Sequence, residues 1–186
     1  MTEPGEVRIN EAYSGYEAPV DVAKVVRRLL ARIPDQYTRG LDCIVLTNLS
    51  GQPRRKRLGK TTSRGRRIPQ SRIRGLYHQK WKGQRPWIEL YVDQILRRWQ
   101  RWTLWIPLLR DLAVADVFYH ELGHHVHLFL RPEYREPEDV AESWQKKFVT
   151  GFLRREYWFL IPIFKTIKLL RGKRSTLPRR PTGRLG

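Results

Sequence analysis

His120 and His124 stand four residues apart, with Glu121 directly after the first. On a helix that spacing puts both imidazoles on one face, one turn apart, where they can grip the same metal ion. The pattern is H-E-x-x-H, here His120-Glu121-Leu122-Gly123-His124. In such a site the histidines hold zinc and the glutamate stays off the metal, facing the bound water. Zinc lowers the pKa of that water to about 7, and the glutamate takes its proton as the water attacks a carbonyl. Four of the five histidines lie between 120 and 127, and the fifth is His78. The flanking Val117, Phe118, Leu122 and Val126 are apolar. Two imidazoles and a carboxylate among them would be partly buried, which is costly without a metal.

A zinc site needs a third protein ligand and an open fourth position. His127 lies seven residues after His120, roughly 10 Å along a helix axis, which strains three histidines on one ion. The extended zincin pattern requires glycine at 127 and histidine at 130; the chain has His127 and Leu130. His125 points to another side of the helix, so His125 and His127 are expected at the rim or behind the ligands. The better candidate follows "RPEYREP", after which the chain can fold back and lay "EDVAESW" beside the histidine pair. Glu138 and Glu142 share a face there. Glu138 is read as the metal ligand, and Glu142 as the acceptor for the far nitrogen of a bound histidine. The reverse assignment stays open, because Glu142 lies deeper along the helix. Acids at 138 and 139 also suit a helix first turn through the helix dipole alone.

These residues resemble a gluzincin, the zinc peptidase group whose third ligand is a glutamate. In a thermolysin-type core the second helix carries the ligand glutamate, a small residue three positions on, an acid at the fourth and an aromatic at the sixth. Glu138, Ala141, Glu142 and Trp144 stand in that order. The resemblance extends to small cytoplasmic members of the group, including those that clear phage repressors in bacteria. The resemblance spans residues 107–148. It implies a protein or peptide substrate held extended along an edge strand, for which residues 87–92 are expected. It also implies a His, Tyr or Arg that steadies the oxyanion, with His78, Tyr134 and Arg131 as candidates.

The elements that must position these groups are legible in outline. Residues 21–34 carry Val22, Val25, Val26, Leu29, Leu30 and Ile33 at helical spacing, with Pro34 as a stop. Residues 41–49, 72–78 and 86–95 read as strands. Residues 107–130 read as one long helix with Pro107 in its first turn, and Pro137 opens the next. The expected fold class is α+β: a small zincin-like domain with a short mixed sheet of about three strands, packed on an active-site helix and a following ligand helix. Residues 1–20 are expected to be a polar arm, 21–170 the domain, and 171–186 a basic tail.

The formal charge is +19. Residues 54–74 hold ten Lys/Arg and 165–186 eight more, with no acid in either stretch, so the remainder is nearly neutral. Such appendages suit nucleic acid or an anionic surface, and equally a solvated segment with no specific partner; residues 52–70, with Gly, Pro, Ser and Thr throughout, read as a loop or a long mobile hairpin. A single cysteine, Cys43, excludes a disulfide scaffold. The N-terminus lacks an apolar signal core, so a cytoplasmic location is expected. "YWFLIPIFKTIKLL" (157–170) is too short and too charged to span a bilayer and is expected to pack. The leading expectation is a zinc metallopeptidase. Its rivals are a nucleic-acid-associated binding protein with a structural or catalytically idle zinc site and a hydrolase of non-peptide amides.

Overall fold

A computed structural model describes residues 7–54, 59–63, 66–79, 83–132 and 137–160. The chain divides into a large compact unit, Met1–Phe152, and a short one, Leu153–Gly186. The fold is α+β.

Six strands are present among the described residues: β1 (Arg8–Glu11), β2 (Cys43–Thr47), β3 (Lys60–Ser63), β4 (Arg66–Pro69), β5 (Gly75–His78) and β6 (Trp87–Tyr91). Four of them form one mixed sheet in the order β1-β2-β6-β5. β1 and β2 run parallel, as do β2 and β6, while β5 is antiparallel to β6. A parallel neighbour requires a crossover; between β1 and β2 it carries α1 (Val22–Leu30).

The sheet therefore has four strands rather than the expected three. The extra strand, β1, comes from the segment read as a polar arm. Its side chains are mostly exposed, so it shows no apolar alternation, and pairing with β2 through the main chain holds it in place. The basic segment contains a two-stranded antiparallel ladder, β3 with β4, running from Lys60↔Pro69 to Ser63↔Arg66. The strand expected over 86–95 ends at Tyr91, where α2 (Val92–Leu96) begins. The Asp93 carboxylate accepts from the N–H groups of Leu49 and Ser50 at 2.9 and 3.0 Å. That contact ties the turn after β2 to the start of the helix and draws the chain out of the sheet.

On one sheet face Ile44, Leu46, Ile88 and Leu90 are fully buried. The helices α1 and α3 (Pro107–His125) pack there. α1 presents Val22, Val25, Val26 and Leu29 inward, and the Asp21 side chain caps it by accepting from the Lys24 N–H. Two polar contacts fasten α3 to α1. Arg28 pairs with the fully buried Asp111, and the Tyr119 hydroxyl donates to the Leu29 carbonyl at 3.2 Å. On the opposite sheet face Leu49, Ile73 and Tyr91 cluster with Leu76. Beyond His125 the α3 rod widens into a π-helical turn, Val126–Leu130. α4 (Pro137–Glu156) follows residues 133–136, which lie outside the described set.

In the second unit, Tyr157 donates its N–H to Leu153 O, and Trp158–Leu160 form one 3₁₀ turn. Trp158 and Phe159 are exposed. The rest of the expected packing segment and the basic stretch 165–186 lie outside the described residues. No described helix is long and apolar enough to cross a membrane.

Candidate metal centre

Residues 120 and 124 sit on α3 where it passes under the edge of the sheet. Their rings meet edge-on with centroids 4.8 Å apart. α4 lays Glu138 against them: its carboxylate oxygens lie 3.4 Å from His120 Nε2 and 3.9 Å from His124 Nε2. One donor atom from each of the three residues falls within 4.8 Å of the others, a group that could hold a metal ion. Metal–ligand bonds of about 2.0–2.2 Å at tetrahedral angles need donors roughly 3.3–3.5 Å apart, so the 3.4 Å pair already fits and the wider separations must close by up to about 1.4 Å. Two imidazoles and one carboxylate form a nitrogen–oxygen donor set suited to zinc. Glu142 lines the same cleft one turn further along α4 and falls outside this three-donor group.

Two glycines allow the approach. A Cβ on Gly123 would stand 2.7 Å from the Ala141 carbonyl oxygen and 2.8 Å from its Cα. α3 and α4 thus touch backbone to backbone between the two small residues, one turn from the ligand-type side chains on each helix. A Cβ on Gly75 would stand 2.8 Å from Glu121 Cγ and 2.8 Å from Val117 Cγ1. β5 therefore rests directly on the carboxylate.

Glu121 is only 7% exposed. Burial, and then the Glu138 charge, push its pKa up to about 8, while the Tyr77 backbone N–H bonded to it and the Arg74 guanidinium pull the other way. A dication on the neighbouring donors would favour the ionised form. His124 is held well below the usual imidazole range, first by burial and then by His120. A neutral imidazole is the form that ligates metal.

β5 is an edge strand of its sheet, and the Tyr77 N–H faces Glu121 rather than β6. β6, expected to be the substrate-holding edge, is instead paired on both sides: Ile88 lies opposite Ile44 and opposite Tyr77. The edge that flanks the site is Gly75–His78. A glycine inside the strand-like stretch "RIRGLYH" was the available signal, since glycine in a strand marks close approach by another group. Together β5, α3 and α4 line a cleft of about 710 Å³ that includes Arg72, Arg74, His120, Glu121, Glu138 and Glu142.

The other histidines do not join the cleft. His125 is fully buried. Its Nε2 meets the Arg39 carbonyl at 3.1 Å and its Nδ1 meets the Tyr77 hydroxyl at 3.2 Å. A carbonyl only accepts, so Nε2 carries the proton and Nδ1 accepts from Tyr77. His127 is likewise buried, and its Nδ1 has no hydrogen-bond partner among the described residues. Neither lies at the rim. Of the oxyanion candidates, His78 lies on the other sheet face, where it stacks on Trp87 and meets Glu89 at 3.1 Å. Arg131 lies over the Tyr37 ring, and Tyr134 falls outside the described residues.

Burial holds the His125 pKa down, to about 4. The neutral ring should persist to about that pH, with imidazole nitrogen NMR reporting an Nε2–H tautomer. Between 6.5 and 4 only the unfolded chain protonates this residue, so its contribution to stability is lost as pH falls through that window. A titration midpoint near 6.5 in the folded protein would contradict the hydrogen-bond assignment.

Comparison with protein-family models, with curated proteins and with solved structures found no match.

Proposed function

We propose that this chain is a zinc-dependent metallopeptidase with His120, His124 and Glu138 as metal ligands and Glu121 as general base. The observation that carries the proposal is the convergence of three donor atoms within 4.8 Å, with a buried carboxylate beside them at the edge of a cleft. The order of residues on α3 and α4 that resembles a gluzincin supports the same reading. Zinc bound there would polarise the substrate carbonyl and make water acidic near neutral pH. Glu121 receives the proton as the water oxygen bonds to the carbonyl carbon. It then delivers that proton to the departing amine as the C–N bond breaks. The Tyr77 N–H holds one side of the carboxylate, so Glu121 does not swing away between the two transfers. The main chain of β5 offers hydrogen bonds to a peptide lying extended beside it.

Metal analysis of the purified protein tests this reading. One equivalent of zinc per chain is expected, together with hydrolysis of an unfolded protein that stops on chelation and returns on adding Zn²⁺. Failure to bind zinc supplied in excess would remove the basis for the reaction.

A further inference from the structure

The metal cleft does not end at Gly75. Arg72 and Arg74 line it, and the same two residues form one wall of an adjoining trough of about 300 Å³ completed by Ser71, Gln94, Arg97 and Arg98. Four guanidiniums thus come from two separate stretches of chain, the approach to β5 and the end of α2. Arg74 has a partner, Asp116, at 3.1 Å, and Gln145 donates to that carboxylate at 2.7 Å and holds it in place. Arg72, Arg97 and Arg98 have no acidic partner among the described residues. Gathering like charges without a counter-charge is unfavourable, and a planar guanidinium is well matched to a carboxylate.

We infer that this trough is a specificity subsite for acidic side chains of a peptide substrate, an inference that rests on the peptidase reading. A strand added along β5 advances about 3.3 Å per residue. Continuing past Gly75 toward Arg72, it reaches the guanidiniums within about three residues of the bond held beside Glu121. The substrate class is therefore a polypeptide with Asp or Glu on one flank of the cleaved bond. A nucleic acid strand fits less well, because among the described residues the trough is lined by arginine, Ser71 and Gln94, with no aromatic face for a base.

The test uses two fluorescent peptides that differ only in Asp/Glu against Asn/Gln on one flank, prepared with the acids on either side. Binding is measured with the zinc-loaded Glu121→Gln protein, and cleavage with the zinc-loaded wild type. The acidic peptide should bind roughly tenfold or more tightly than its amide twin. Replacing the exposed Arg97 and Arg98 together by alanine should erase that difference and leave the handling of the amide twin unchanged. Equal binding of the twins, or a preference that survives the double substitution, overturns the inference. So does a single-stranded oligonucleotide that outcompetes the acidic peptide and depends on the same arginines. Arginine-dependent binding without cleavage would leave the subsite standing and remove the peptidase reading. Equal cleavage of both twins would do the reverse.

Discussion

Glu121→Gln should lower the rate of hydrolysis by on the order of 10²–10⁴-fold while leaving the zinc content at one per chain. The substitution keeps the shape of the side chain beneath Gly75, where a larger group has no room. The amide oxygen still accepts from the Tyr77 N–H, so the carbonyl end stays in place. What is lost is the ability to take up and return a proton. The three ligand-type residues are untouched, so zinc measured alongside activity separates a missing base from a missing metal. The metal-free proteins provide a second readout. Burial raises the Glu121 pKa from 4.5 to about 8. The unfolded chain therefore ionises this group before the folded one does. Relative to the metal-free glutamine variant, metal-free wild type should lose stability as pH rises through that window, because the buried histidines act alike in both. Equal hydrolysis by the two proteins would show that Glu121 is not the base. Identical pH profiles of stability would show that it is not buried as described.

The second large effect is expected at Gly123, where its sign is informative. Glycine inside an exposed helix usually costs about 0.5–1 kcal/mol relative to alanine, so Gly→Ala generally stabilises. At Gly123 the new methyl would meet three backbone atoms of Ala141 between 2.7 and 3.1 Å away. Backbone cannot rotate aside as a side chain does, so α4 must move outward. Strain of this kind costs about 1–3 kcal/mol and outweighs the propensity gain. Glu138 lies one turn before Ala141 on the same helix and moves with it, away from the two imidazoles. Gly123→Ala should therefore lower thermal stability and weaken zinc binding roughly 10–100-fold. Gly151, also on α4, has nothing within 4 Å of its would-be Cβ. Gly151→Ala is the control and should stabilise slightly with zinc affinity unchanged. A Gly123→Ala protein with normal zinc affinity would show that the helix crossing does not set the site.

How much of this was legible in the sequence differs from feature to feature, for physical reasons. The pairing of His120 with His124 follows from helical period alone, whereas spacing offered both Glu138 and Glu142 as the third donor and did not choose between them. α1 was equally readable, since its apolar residues fall on one stripe. The rank of each strand within the sheet was not readable. Whether β6 or β5 forms an edge depends on which strand lies beyond it, and no local pattern carries that. β1 escapes a pattern-based reading because its exposed side chains show no apolar alternation, and main-chain pairing with β2 and the Arg8–Asp42 ion pair define it. For His125 the rim and a place behind the ligands were both open, because the Arg39 carbonyl that its ring meets is 86 positions away. The end of β6 at Tyr91 depends in the same way on Asp93 receiving N–H groups from a distant turn.

The fastening of α3 has a thermodynamic consequence. Asp111 holds one end to α1, Tyr119 ties the middle to the Leu29 carbonyl, and His125 fixes the far end between Arg39 and Tyr77. The two imidazoles are thereby set in place by hydrophobic burial and polar ties that involve no ion. In zinc fingers the free energy of metal capture is spent on ordering the chain. Under the proposed metal reading these ties order the rod beforehand, so that free energy would appear as tightness of grip. An ion bound there would leave and return without the domain coming apart.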